Sequence, residues 1–303
     1  MIRASFSKGF NTEDHTGISP PSTNSVVVKS FGLTDPGRVR QANEDQFMIA
    51  ELTKVMRVWQ TSLPVRKAQF GEERAHLFLV ADGMGGHLAG ERASALAVLT
   101  IEHFTLNTFK WFFDSRGPDA QRVLAQFQQA LRQADAQIVE QGADNPQLRG
   151  MGTTVTMAYQ LDAQLCIVHV GDSRAYVCRN DVLYQVTKDH TVVADMVRAG
   201  AITKEQGQEH RLRHMVTNVV GGPEEGIFVE AHAVELQAGD VLLICTDGLT
   251  EMVSNDQIAK VLREVPDPEA ACQRLLKEAN EAGGRDNITI VISRFNSVTP
   301  QST

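Results

Sequence analysis

Short runs of apolar and β-branched residues separated by turn residues recur along most of the chain. They predict β-strands, because such runs bounded by Gly, Asn, Asp or Pro are typical of strands. Prominent examples are residues 76–81, 165–170, 241–245 and 288–293. Asn180 and Asp181 separate two adjacent runs and predict a hairpin, so at least part of the sheet is antiparallel.

Longer segments instead place their apolar residues at helical spacing. They are 93–104, the segment from about Asp119 to Gly142, and the segment from the cap Asp267 to Gly283. Many strands and a few long helices that do not alternate regularly predict an α+β fold built in layers.

Composition and charge narrow the class of protein. The 303 residues include 29 Lys and Arg against 37 Asp and Glu, a net charge of −8, which argues against a general nucleic-acid-binding surface. No apolar run approaches the length of about 20 residues that a membrane span needs. The four cysteines form no CxxC pair, which favours reduced, buried thiols in a cytoplasmic protein.

One continuous domain is expected. Residues 1–25 are polar and contain adjacent prolines, so they predict a flexible leader, and 296–303 predict a short tail. No repeat and no long linker interrupts residues 26–295.

Acidic residues stand at the ends of the predicted strands. Asp82, Asp172 and Asp247 follow runs 76–81, 165–170 and 241–245, and Asp286 precedes 288–293. An Asp-Gly pair after a strand is often only a turn. If the strand ends converge, however, the carboxylates repel one another unless a cation holds them. Oxygen ligands without a His or Cys cluster favour Mg²⁺ or Mn²⁺.

Two such ions sharing a carboxylate could activate water at neutral pH, and hydrolysis of a phosphate ester is the reaction that fits best. Gly83 lacks a Cβ, so its carbonyl could also approach an ion. Glu44 and Asp45 precede another predicted strand and could reach the same place. Arg40 could offer its planar guanidinium to a phosphate, although a solvated surface loop explains this stretch equally well.

Several short motifs together carry a specific resemblance. In chain order they are RQANED (40–45), VADGMGGH (80–87), GTT (152–154), VGDSRAY (170–176), DH (189–190), DGL (247–249) and RDN (285–287). This set resembles the PPM (PP2C-type) family of metal-dependent protein Ser/Thr phosphatases in its bacterial form, over residues 31–293.

The resemblance implies a four-layer αββα sandwich with a binuclear Mn²⁺ or Mg²⁺ centre between two largely antiparallel sheets. It implies phosphorylated Ser/Thr proteins as substrates and a cognate Ser/Thr kinase. Residues 188–217 resemble a mobile flap beside the active site. The matching positions imply a bridging ligand at Asp82, a carbonyl ligand at Gly83, direct ligands at Asp247 and Asp286, water-mediated contact from Asp45, support from Glu44, phosphate binding by Arg40 and a third ion near Asp172.

Two features depart from the family pattern. Met84 stands where eukaryotic relatives usually carry a His that is suspected of protonating the leaving group, and a thioether cannot donate a proton. His87 lies close by but could equally belong to the following helix. Residues 51–73 exceed what a minimal version of the fold needs, which predicts a variable surface loop or a docking hairpin.

Other classes of protein fit less well. No cysteine is followed by Arg at the sixth position, which excludes a cysteine-dependent phosphatase. The glycines at 83–86 do not complete GxGxxG, and no GxxxxGK[ST] motif occurs. A non-catalytic phosphopeptide-binding module stays open, although the intact acidic set argues against it.

Overall fold

The computed structural model describes residues 26–56, 71–107, 120–222 and 226–297. The predicted leader 1–25 and most of the long connection within 51–73 lie outside these ranges. The bounds of the strands, in chain order, are β1 Val26–Asp35, β2 Asp45–Met56, β3 Gly71–Met84, β4 Gly152–Thr153, β5 Val155–Leu161, β6 Gln164–Val170, β7 Arg174–Arg179, β8 Val182–Gln185, β9 Glu230–Glu235, β10 Val241–Cys245 and β11 Ile288–Ser297.

The strands form two sheets whose neighbours pair antiparallel. One sheet has the order β1-β11-β10-β7-β8, and the other has the order β2-β3-β5-β6-β9, with β4 paired to the end of β3. The predicted hairpin between β7 and β8 is confirmed. Asn180 and Asp181 both adopt positive φ, 50° and 64°, as a tight two-residue turn requires.

Long helices cover the outer face of each sheet, and shorter ones lie in the connections. The bounds of the described helices are α1 His87–Asn107, α2 Ala120–Asp144, α3 Val192–Arg198, α4 Lys204–Gln208, α5 Asp247–Thr250, α6 Asn255–Glu264 and α7 Pro268–Glu281. Among these described helices, none is both long and apolar enough to cross a bilayer.

Three apolar clusters hold the layers together. α1 and α2 pack on the β2-β3-β5-β6-β9 sheet, and α6 and α7 pack on the other sheet. A third cluster, which includes Phe78, Ile167, Leu242 and Val291, fills the space between the sheets. The predicted α+β fold, an αββα sandwich, is therefore confirmed.

Several boundaries differ from those predicted. α2 continues to Asp144, past the predicted stop at Gly142, because its last turn packs beside the short 3₁₀ turn Pro146–Leu148. β2 and β3 form a longer hairpin than expected, with Met56 opposite Gly71. β11 extends to Ser297, two residues into the predicted tail.

Candidate metal centre

Neighbouring strands β2 and β3 place two carboxylates side by side. Asp45 begins β2 and stands opposite Asp82, near the end of β3, in the antiparallel register. Asp45 is only 2% exposed. Two residues far apart in the sequence therefore bring their charges to one end of the sheet.

The facing sheet contributes the other acids at the same end of the sandwich. Asp247 lies two residues after the end of β10, with Thr246 between them, and Asp286 lies two residues before β11. The hydroxyls of Thr246 and Thr289 both donate to Asp45 Oδ2, at 2.9 and 2.7 Å. These bonds join the two sheets at the point where the acids gather.

An open cleft of about 540 Å³ lies over this point. Its walls include Arg40, Glu44, Asp82, Gly83, Asp172, Asp247 and Asp286. Asp45 is buried beneath the floor and does not line the cleft. All eight sequence-predicted site residues are thus at or just below one cleft.

The backbone around Asp82 is fixed by two threonines of the GTT motif. The Thr153 hydroxyl and the Thr154 backbone N–H both donate to the Asp82 carbonyl, each at 2.9 Å. The Asp82 N–H donates back to Thr154 Oγ1 at 3.2 Å. The motif therefore holds the aspartate in place without contributing a charge.

Asn287 of the RDN motif fixes the loop that carries Arg40 and Glu44. Its Oδ1 accepts from the Glu44 N–H at 2.8 Å, and its Nδ2 donates to the carbonyls of Pro36 and Ala42. Asn287 is 5% exposed, so these bonds are shielded from water.

The Asp82-Gly83 pair at the end of β3 packs directly on the first turn of α1. A Cβ on Gly83 would overlap the carbonyl oxygen of Gly90, and a Cβ on Gly90 would overlap Glu44 Oε2. The Gly83 N–H also donates to the Glu44 carbonyl at 3.2 Å. The carboxylate of Glu44 thus lies at the N-terminal end of α1, where the helix dipole stabilises negative charge.

Burial and mutual repulsion raise the pKa of the central carboxyls. Burial raises the pKa of Asp45 to about 7, although hydrogen bonds from Thr289 and Thr246 oppose the change. Burial, followed by the charges of Asp45 and Asp247, raises the pKa of Asp82 well above its ordinary range. Burial also raises the pKa of Asp247, with Asp172 as the largest repelling charge.

Two buried oxygens in this cluster lack partners. Asp45 Oδ1 and Asp247 Oδ1 accept no hydrogen bond from any described residue. An orphaned carboxylate oxygen in an interior is costly unless a cation occupies the space beside it. The donor set consists of oxygens, which suits hard divalent ions such as Mg²⁺ and Mn²⁺.

Arg40 lies at the edge of the cleft and is paired with one of these acids. Its Nη2 donates to Asp286 Oδ2 at 2.7 Å, and this bond is the main cause of the raised pKa of Arg40. The arginine is half exposed, so an anion entering the cleft can reach it.

Asp172 follows β6 through Gly171, whose φ of +112° favours glycine. Burial and the nearby charge of Asp189 raise the pKa of Asp172 to about 7, and Arg174 opposes the change. Arg174 in turn donates two hydrogen bonds to Asp189, at 2.8 and 2.5 Å. Asp172 itself lines the cleft, while the ion pair behind it orders the DH segment.

The base of segment 188–217 is fastened to the end of β6 by His190. The His190 N–H donates to the Gly171 carbonyl at 2.8 Å, and the Gly171 N–H donates to His190 Nδ1 at 3.0 Å. The Thr217 N–H donates to the His190 carbonyl at 2.8 Å. Further along, Arg213, His214 and Val216 line the cleft. The segment thus borders the site, and its mobility stays a prediction.

The sequence did not reveal every residue around the cleft. His214 Nδ1 pairs with Glu251 Oε1 at 2.5 Å, and both residues line the cleft beside Asp247. Glu251 lies four residues after Asp247 at the end of α5, a spacing that places both on one helix face and could have identified it. No local signal marks His214, because its position depends on the course of the whole segment.

Comparison with known proteins agrees with this geometry. The sequence model of the family described as Protein phosphatase 2C matches residues 66–281. The chain belongs to this family. The resemblance expected from its motifs is confirmed, and the protein is a serine/threonine protein phosphatase.

Bacterial relatives support the same assignment over most of the phosphatase. Serine/threonine phosphatase stp of Listeria innocua is 31% identical over 263 residues, which cover 87% of this chain and 94% of the relative. Serine/threonine protein phosphatase PstP of Mycobacterium tuberculosis is 37% identical over 268 residues, which cover 88% of this chain and 45% of PstP.

Solved structures of phosphatases share the fold. The crystal structure of the Mycobacterium tuberculosis phosphatase PstP/Ppp aligns with a TM-score of 0.71 and 33% identity, covering 90% of this chain and 100% of that one. The catalytic domain of PstP in complex with two manganese ions aligns with a TM-score of 0.69 and 32% identity, with the same coverage.

Proposed function

We propose that this phosphatase hydrolyses phosphoserine and phosphothreonine in proteins by means of two divalent ions, Mn²⁺ or Mg²⁺, held at the floor of the cleft. The residues that would hold them are Asp82, the Gly83 carbonyl, Asp247 and Asp286, with Asp45 beneath them and Asp172 beside a weaker third site. The main support is the pair of buried orphan oxygens on Asp45 and Asp247. When bound, such ions supply an activated water and stabilise the charge of the transferring phosphoryl group.

The chain's own residues bind and orient the substrate. Arg40 presents a planar guanidinium at the cleft edge, which matches two oxygens of a phosphate. Its present partner, Asp286, is one of the proposed ligands, so ion binding would free Arg40 for the phosphate. Glu44 supports the floor because its backbone bonds Gly83 and Asn287.

Met84 bears on the source of the proton that the leaving alkoxide requires. It lines the cleft at the position where eukaryotic relatives usually carry a histidine, and its thioether has no proton to give.

A cysteine nucleophile is disfavoured. Burial raises the pKa of the Cys245 thiol, which precedes Asp247 by two residues, to about 12. The four cysteines are all free and buried.

Turnover of p-nitrophenyl phosphate tests the proposal directly. We expect activity only with added Mn²⁺ or Mg²⁺ and its loss with EDTA. Asp82→Asn and Asp247→Asn should lower kcat by at least about 10³-fold, since each removes a charge that would hold an ion. Cys245→Ser should change kcat little. Full activity in EDTA, or in Asp247→Asn, would disprove the metal-centre assignment.

The cellular setting belongs to the same proposal. We place the enzyme in the cytoplasm, where its substrates would be the products of a cognate Ser/Thr kinase. The buried free thiols suit a reducing compartment.

A further inference from the structure

The wall of the cleft carries positive charge above its acidic floor. Arg40, Arg213 and Arg285 all line the cleft. Arg40 is paired with Asp286. Arg213 and Arg285 are exposed, and within the described chain neither side chain has an ion-pair or hydrogen-bond partner. Two arginine side chains at the mouth are therefore available to a bound molecule.

The two arginines belong to segments that both approach the end of α5. Arg213 precedes His214, which pairs with Glu251 at the end of α5. Met252 follows Glu251, and its Sδ lies beside Gly283, where the Nε and Cγ atoms of Arg285 also lie. Arg213 and Arg285 thus come from two segments that both reach Glu251–Met252, one being segment 188–217 and the other the loop before β11.

The net charge at the mouth of the cleft depends on whether the carboxylates of its floor hold divalent ions. The carboxylates of the floor would be neutralised by the divalent ions they are proposed to hold, and Arg40 would be engaged by the phosphate that is hydrolysed. The charges of Arg213 and Arg285 would then face whatever flanks that phosphate. The net charge of −8 repels acidic peptides at long range, so any preference for them must come from local contacts of this kind.

We propose that Arg213 and Arg285 form a subsite for an anionic group next to the phosphorylated residue, so that the enzyme prefers substrates with a flanking carboxylate or a second phosphate. This inference rests on the proposed function and adds a substrate class to it. Guanidinium groups bind both kinds of anion through charge-assisted hydrogen bonds. A phosphate carries more charge and more acceptor oxygens than a carboxylate, so it should be preferred of the two.

Steady-state kinetics on four phosphothreonine peptides tests the subsite. The peptides share one sequence and differ only in flanking residues, which are alanine, glutamate, lysine or a second phosphothreonine. For the wild-type enzyme with Mn²⁺ we expect kcat/KM to be about three- to tenfold higher for the glutamate peptide than for the alanine peptide, and higher still for the doubly phosphorylated one. The advantage should shrink at high salt, because the sites are exposed to solvent.

Variants assign the effect to the two side chains. Arg213→Gln and Arg285→Gln should each lower the glutamate-to-alanine ratio, and the double variant should bring it to about one. The double variant Arg213→Glu with Arg285→Glu should favour the lysine peptide. Arg132→Gln, an exposed arginine of α2 away from the cleft, is the matched control and should keep the wild-type ratio. Each ratio is taken within one variant, so a general loss of activity does not affect it.

The outcomes separate this inference from the proposed function. A wild-type enzyme that hydrolyses p-nitrophenyl phosphate with Mn²⁺ but treats the four peptides alike overturns the subsite and leaves the proposed function intact. A double Gln variant that keeps the wild-type ratio also overturns it. An advantage seen only with the second phosphate supports the subsite and identifies phosphate as its ligand.

Discussion

Replacement of Asp45 by asparagine should stabilise the ion-free protein while it impairs the response to metal. The Asp45 carboxyl is almost fully buried, its Oδ1 has no partner among the described residues, and its pKa is raised to about 7 from an ordinary value of 3.8. Since each pKa unit corresponds to about 1.4 kcal/mol, the charged carboxylate destabilises the folded state by up to about 4 kcal/mol at pH 8.

The amide has no charge to bury, and its Oδ1 can still accept from the hydroxyls of Thr246 and Thr289. Its Nδ2 must find a new acceptor, which removes part of the gain. We therefore expect Asp45→Asn to raise the free energy of unfolding at pH 8 by about 2 kcal/mol in EDTA.

The stability gained by Asp45→Asn should increase with pH. A carboxyl whose pKa is raised on folding binds its proton more tightly in the folded state, so the folded state loses stability as pH rises from about 4 to about 7. Above about pH 7 that loss is complete. The advantage of Asp45→Asn should therefore be small near pH 4 and fully developed at pH 8.

Urea unfolding followed by circular dichroism measures this difference at several pH values, with EDTA and with excess Mn²⁺. Mn²⁺ should stabilise the wild-type protein, by about 2.7 kcal/mol at 100 times its Kd, and the variant less. Asp240→Asn is the matched control, because Asp240 is equally buried but bonded to Arg179 at 2.9 and 2.6 Å. It should lose stability. An Asp45→Asn protein no more stable than wild type in EDTA at pH 8 would refute the reasoning.

Two further substitutions test the surroundings of the site. Gly83→Ala should lower the free energy of unfolding by about 1–3 kcal/mol and abolish p-nitrophenyl phosphate turnover, because its Cβ would overlap the carbonyl oxygen of Gly90. Gly142→Ala in α2 would place its Cβ 3.3 Å from the carbonyl oxygen of Leu148, a much milder conflict, so it should cost less stability and keep turnover in the same assays. Burial alone would raise the pKa of Glu230, but the contact of His190 Nε2 at 3.6 Å and hydrogen bonds from the Lys188 N–H and His232 lower it to about 2. The Glu230 carboxylate therefore stabilises the folded state above pH 4.5, and this stabilisation is lost as pH falls towards 2. In urea unfolding, Glu230→Gln should lower the free energy of unfolding by about 1–3 kcal/mol at pH 7 and by less at pH 4. An equal loss at both pH values would contradict the assigned hydrogen bonds.

The carboxylates could be predicted from the sequence because they lie next to apolar runs that predict β-strands. Asp82, Asp172 and Asp247 each follow a run of buried residues, and such runs are readable as strands without knowledge of the rest of the chain. Their convergence depends on the order of the strands in the sheets, which composition and periodicity do not specify. It was the set of motifs that supplied this information.

Other features escaped prediction for different reasons. Helix α6 carries a cap at Ser254 and apolar residues at Ile258, Val261 and Leu262, so its signal was present but short. The pair between Arg40 and Asp286 joins residues 246 positions apart, and no local pattern indicates it. The same holds for His214 and Glu251, whose contact exists only because segment 188–217 folds back over the cleft.

The attachment of His190 to Gly171 separates segment 188–217 from the end of β6 that carries Asp172. The sequence of the segment can therefore change without moving Asp172. The bonds at Gly171 and Thr217 anchor both ends of the segment through main-chain atoms and one imidazole. Residues between these anchors can be exchanged, lengthened or shortened while Asp172 stays where β6 puts it. Related phosphatases could therefore acquire new substrates through substitutions, insertions or deletions between His190 and Thr217, while the carboxylates of the metal centre stay the same.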